Sequence, residues 1–248
     1  MRHHSPRRAG HDGRVSGFRV LGVDGCRTGW IGIALSEGAP AAAPRAYCTA
    51  VISELVAEAS KDGPLAVIGI DIPIGLADTG RRAADLLARQ AIGPRWSSVF
   101  LTPARAALEL DDYPAAAGVS RRLTGDGISR QAFALRVKIL EVDRWIREAG
   151  HHALEVHPEV SFAELAGAHL RTRKSTWAGM TERRRLLAGA GIAVPDDLGP
   201  AGAQAAVDDV LDAAVVAWTA SRVAAGLARS LPARPEKFSD GLDCAIWI

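Results

Sequence analysis

Two strand-length apolar runs that each end in an aspartate constrain this chain most: FRVLGVD, Phe18 to Asp24, and LAVIGID, Leu65 to Asp71. The second is unbroken over Leu65 to Ile70, the pattern of a parallel strand buried on both faces. A carboxylate closing such a run cannot enter the core without a partner, so each is expected in a crevice at the carboxyl end of its strand. For Asp24 alone, followed by Gly25, a turn-forming Asp-Gly in a hairpin is the simpler explanation. Two neighbouring parallel strands with the same ending favour a shared site at one sheet edge.

The rest of the pattern is mixed. Trp30 to Leu35 follows the first run after a short Gly-containing turn, which predicts a hairpin, and Arg45 to Cys48 reads as a third strand. Helical spacing covers Val51 to Ser60, Arg81 to Ala91, Ile128 to Ala149 (opened by Ser129), Thr181 to Ala190 and Ala203 to Leu227. Ala153 to Val156 reads as a short strand stopped by His157-Pro158, and Leu242 to Ile248 as a final edge strand. This order predicts an α/β fold of the ribonuclease-H-like kind: a mixed sheet with helices on both faces and a helical insertion. No repeat or linker divides it, so residues 18–248 read as one domain. Residues 1–17 read as a disordered basic tail. Through Arg19 the N-terminal stretch carries five arginines against Asp12, which leaves the remainder near −2 although the whole chain is formally +2. A body of that charge is not a broad binder of duplex nucleic acid.

Cys26, Cys48 and Cys244 have no CxxC spacing, which argues against a zinc ribbon and fits a cytoplasmic, reducing setting. No apolar run approaches the ~20 residues needed to span a bilayer, so no membrane partner is expected.

A third acidic group opens the last long helix in VDDVLDAAVVAW. Asp209 and Asp212 lie i,i+3 on one side, and Asp208 and Asp212 are i,i+4. Acids in a first helical turn also serve the helix dipole. Asp212, however, lies among Val210, Leu211, Ala213 and Ala214, where an unneeded charge is costly, and metal ligation accounts for it better. Asp24, Asp71, Asp209 and Asp212 are therefore the candidate catalytic and metal-ligating residues. Glu155 is a further candidate ligand and His157 a candidate proton shuttle; a cap region with Glu159 in the first turn after Pro158 is the alternative. Mg²⁺ or Mn²⁺ is the expected cofactor, since a few carboxylates and several waters suffice for such ions. Two-metal phosphodiester hydrolysis needs that arrangement.

Six segments carry a resemblance: GVDGCRTGW (Gly22 to Trp30), IDIPIGL (Ile70 to Leu76), RxxDxxAR (Arg82 to Arg89), SSVFLTP (Ser97 to Pro103), EVHPEVSF (Glu155 to Phe162) and DDVLDAAVVA (Asp208 to Ala217). In this order the chain resembles the domain-of-unknown-function 429 family, described as predicted ribonuclease-H-like nucleases. Its acidic pattern is similar to the RuvC-type resolvase branch of that superfamily. The resemblance implies a metal-dependent nuclease acting on nucleic acid or a phosphorylated small molecule, with Arg89 and Lys174 holding a phosphate. Arg81, Arg82 and Arg95 read as a solvated surface. Trp30, Trp96 and Trp177 are candidates for base stacking, with core packing an equal alternative for Trp30. Two other functions fit the same fold: an ATP-dependent phosphotransferase of the actin and sugar-kinase type, which would need a second lobe and phosphate loop, and a non-catalytic phosphate-binding module.

Overall fold

The computed structural model describes residues 17–37, 43–149 and 152–248; the tail expected over residues 1–17 falls outside these, Gly17 excepted. Chain order is β1 (Arg19–Cys26), β2 (Gly29–Ser36), β3 (Arg45–Thr49), α1 (Ile52–Ser60), β4 (Leu65–Ile70), α2 (Ala83–Ala91), a 3₁₀ turn (Gly93–Ser98), α3 (Arg105–Leu108), α4 (Tyr113–Thr124), α5 (Arg130–Ala149), β5 (Ala153–Val156), α6 (Pro158–Ala166), α7 (Trp177–Gly189), α8 (Gly199–Gly202), α9 (Val207–Ala224), β6 (Ser230–Lys237) and β7 (Asp243–Trp247). The seven strands form one sheet in the order β3-β2-β1-β4-β5-β7-β6. β1, β4, β5 and β7 run parallel, while β2, β3 and β6 are antiparallel to their neighbours. This is the mixed α/β architecture expected of a ribonuclease-H-like fold, with α2 to α5 inserted between β4 and β5.

The period of two along the strands sorts the core into two layers. Leu21, Val23, Ile68 and Ile70 face one side and pack with Ile52 and Leu55 of α1 and Ile139 and Val142 of α5. Val20, Val67 and Val156 face the other and meet Val216 and Ala220 of α9, while Ile31 and Ile33 meet Leu211 and Val215 of the same helix. Each such side chain, fully buried, contributes roughly 1.5–3 kcal/mol. Trp30 belongs to the core, fully buried, with its indole N–H donating to Glu141.

The final strand differs from expectation. β7 is interior, paired to β5 on one side and β6 on the other. β6 is the edge, and its sequence SLPARPEK hides it because Pro232 and Pro235 offer no amide to a ladder. Its pairing shifts register between Leu231 and Glu236, which fits a proline-bearing edge strand. α7 also begins earlier than its spacing suggests, because Thr176 caps it by accepting from the Gly179 amide at 3.1 Å. Among the described residues no helix is long and apolar enough to cross a membrane.

β1 and α9 meet backbone to backbone. A Cβ placed on Gly22 would lie 2.1 Å from the Ala217 nitrogen and 2.2 Å from the Ala213 carbonyl oxygen. Both obstacles are backbone and cannot swing away. Gly22→Ala is therefore expected to destabilise the fold by about 3 kcal/mol or more, at the upper end of overpacking costs. A urea unfolding titration followed by circular dichroism measures it, and an unchanged midpoint would contradict the packing described.

Candidate active site

Register brings the two strand-end aspartates together. β1 and β4 pair in parallel through Val23 and Ile70, and the Asp71 amide continues the ladder by donating to the Val23 carbonyl oxygen at 2.9 Å. Asp24 and Asp71 therefore stand side by side. Gly22 and Gly69 are each two residues earlier on the same face, and both abut α9. The pleat consequently points both carboxylates to the α9 side. Because Ala213 and Ala217 lie against Gly22, the first turns of α9 sit over the strand ends, bringing Asp209 and Asp212 to the same place. All four acids line one cleft of about 540 Å³.

The charges in this cleft oppose one another. Burial raises the Asp24 pKa well above the ordinary carboxylate value, and Asp71 and Asp212 raise it further. Asp71 is raised well above that value too, by burial and then by Asp212. Burial pushes Asp212 up to about 6, although Lys174 pulls it down. Asp209 is raised by burial and by Asp208. Lys174, on the loop before α7, reaches in and bonds Asp212 Oδ2 at 2.5 Å, with Asp208 at 3.9 Å. Burial works against its charge, but the carboxylates outweigh burial and raise its pKa. The second Asp212 oxygen, Oδ1, is buried without a hydrogen-bond partner.

The remaining candidates separate into those within this cluster and those held elsewhere. Glu155 pairs with Ile70, one position before Asp71, so the pleat turns it to the opposite face of the sheet. There its Oε2 accepts from Arg82 and from the Ile74 amide. It reaches the cleft wall as the anchor of a buried network rather than beside Asp24. Burial pushes its pKa up to about 7 against the pull of Arg82. Glu159 is ion-paired to the fully buried Arg183. His157 lines the cleft with Nε2 at 3.3 Å from the Ser98 carbonyl oxygen, and its buried Nδ1 has no partner. Burial lowers its pKa. Of the two expected phosphate-holding residues, Lys174 is in the cleft. Arg89 is outside the lining, its Nε donating to the Val99 carbonyl oxygen and its guanidinium over the Trp96 ring at 5.3 Å.

Two arginines assigned to the solvated surface act inside. Arg82 is fully buried, bonding Glu155, Thr102 and the Cys244 sulfur. Arg95 donates to the Leu170 and Thr172 carbonyl oxygens and so ties the 3₁₀ turn to the loop carrying Lys174. Arg81 does stay outside, paired with Asp126. Lys138 of α5 is a cleft residue that sequence reading missed. Its ammonium lies 4.2 Å from the Trp30 ring centroid and donates to the Gly29 carbonyl oxygen. Its one sequence signal is a cation beside apolar Val137 and Ile139, which is too common to single it out.

The donor set is all oxygen, rich in carboxylate and poor in counter-charge, with one orphaned buried oxygen. That is chemistry suited to a hard divalent cation. Among the described residues no three His, Cys, Asp or Glu side chains are placed closely enough to hold a metal ion together. Ions that retain several waters do not require three.

The raised carboxyls bind protons more tightly in the folded chain than in the unfolded one. Their contribution to stability is complete below the ordinary aspartate value of 3.8 and is lost as pH rises through the folded values, which for Asp212 is about 6. In EDTA, the protein is expected to melt at lower temperature at about pH 8 than at about pH 5. Asp71→Asn should narrow that gap by relieving one repulsion. Differential scanning calorimetry of both proteins checks this; equal gaps would show that the acids do not interact.

Comparison with known proteins adds one match. A search of curated proteins returns none, and neither does a search of solved structures. A family model described as "Protein of unknown function (DUF429)" matches residues 22–237, from the glycine beneath α9 to the end of β6. The chain belongs to the DUF429 family.

Proposed function

We propose that the protein is a Mg²⁺- or Mn²⁺-dependent phosphodiester hydrolase, a nuclease in the broad sense, working from the cleft of Asp24, Asp71, Asp209 and Asp212. The observation that carries this reading is the in-register pair Asp24 and Asp71 in one cleft with Asp212, whose buried Oδ1 has no hydrogen-bond partner. Like charges gathered this closely are costly unless a cation is shared among them.

Bound there, a divalent ion would activate water and neutralise charge on a leaving oxygen. The chain's own contributions follow from where its groups are fixed. Asp24 and Asp71 project from adjacent strand ends, and Asp209 and Asp212 from the first turns of a helix packed on those strands, so all four are rigidly aimed. The Lys174 ammonium neutralises Asp212 and lies where a substrate phosphate would meet the carboxylates. His157 lines the same cleft with a buried, unpartnered Nδ1, and burial disfavours its charged form. The phosphotransferase alternative gains no support, since the described residues build a single sheet and supply no second lobe to close over a nucleotide.

Asp24→Asn is expected to reduce hydrolysis of a chromogenic phosphodiester in Mn²⁺ to background while circular dichroism stays unchanged. It should also weaken Mn²⁺ binding measured by electron paramagnetic resonance. Unaltered turnover, or parent protein that binds no Mn²⁺, would end the hydrolase reading.

A further inference from the structure

Beside the cleft, next to its lining residues but outside the lining itself, stand two large aromatic side chains that the hydrolytic site does not use. Trp177 is 80% exposed and Trp96 is 55% exposed, although tryptophan is among the more buried residue types. Both belong to the segments that frame the acids. Trp96 lies in the 3₁₀ turn between Arg95 and Ser98, and Trp177 follows Arg173, Lys174 and Ser175; all five flanking residues line the cleft. The two segments are fastened to each other. Arg95 spans them through the Leu170 and Thr172 carbonyl oxygens, and Gly93 sits so close to His169 that a Cβ there would lie 2.9 Å from its Nε2. The segments that carry the two indoles are therefore joined. Trp96 is braced by the Arg89 guanidinium at 5.3 Å, which explains the placement of Arg89 outside the cleft.

Cations accompany the aromatics. Arg171, Arg173 and Arg185 make no ion pair with a carboxylate among the described residues, and Arg185 shares a separate shallow surface hollow with Trp177, Thr181, Glu182 and Leu186. Exposed ring faces beside unpaired guanidinium groups are the means by which proteins hold unpaired bases and the phosphates between them. A duplex keeps its base faces stacked inside and offers nothing to such rings. The body of the chain, near −2 in net charge, also lacks the broad positive surface that a duplex demands. A small phosphorylated metabolite would fit the acids and Lys174 without either indole.

We infer that the cleft takes single-stranded nucleic acid, with bases stacked on Trp96 and Trp177 and the backbone drawn past Arg173 toward the carboxylates. This rests on the hydrolase reading for what happens to the strand, but binding is testable apart from it. The probe is a fluorescein-labelled oligo(dT) or oligo(U) strand, titrated by anisotropy against Asp24→Asn protein so that nothing is cut, with the matching duplex as competitor. Trp96→Ala and Trp177→Ala should each weaken strand binding by about tenfold, within the range for loss of one stacked base. Trp177→Phe should retain most of the affinity, and Arg173→Ala should reduce the salt dependence by about one phosphate contact. Melting curves confirm that these surface variants fold. The inference is overturned if no strand binds, if the alanine variants titrate like their parent, or if the duplex competes as well as the strand. Strand binding with these signatures but no hydrolysis by the parent would sink the hydrolase reading alone. Hydrolysis of a small phosphodiester without strand binding would sink only this inference.

Discussion

Backbone-to-backbone contact between β1 and α9 governs everything above it. Gly22 lets the helix lie directly on the strand, with Ala213 and Ala217 as the complementary small residues. Separation there sets the height of the first turns of α9 above the sheet, and so whether Asp212 meets Asp24 and Asp71 or hangs clear of them. A methyl group at position 22, 2.1 Å from the Ala217 nitrogen where ordinary contact begins at 3.4 Å, would push the helix off the strand and spread the acids. The two apolar layers supply most of the cohesion, but they would tolerate exchange among similar side chains. The glycine seam does not.

Acidic residues around the cleft fall into two populations. Glu155 and Glu159 are matched by Arg82 and Arg183, each arginine wholly buried, and these pairs fasten β5 and α6 to their surroundings. Asp24 and Asp71 have no arginine partner among the described residues, and Asp212 has only a lysine from a loop. Truncating one member of a buried pair leaves the other charge stranded, which makes the first population structural. The second is held together against its own repulsion by the fold, and its high proton affinity expresses that opposition.

Much of this was written legibly in the chain. Leu65 to Ile70 is a strand with the bounds its apolar run suggests, and the two terminal aspartates are neighbours because both runs end at the same level. Asp212 stood out as a charge inside an apolar helix face. Less could be read where the cause lies far away in sequence. Arg82 looks like any helix-opening arginine, and its burial depends on Cys244 and Thr102. The side to which Glu155 points depends on a pairing register with β4 that a four-residue strand does not announce. β6 was invisible because its two prolines are strand breakers everywhere except at a sheet's margin.

Those prolines have an effect beyond local pairing. The outer border of the sheet on the β6 side lacks amide hydrogens at positions 232 and 235, and its pairing with β7 is interrupted between them. A strand from another molecule laid along that border would find gaps where donors should be and a contour it cannot match. Crowded copies of the protein are thereby denied a template for growing one continuous sheet in that direction.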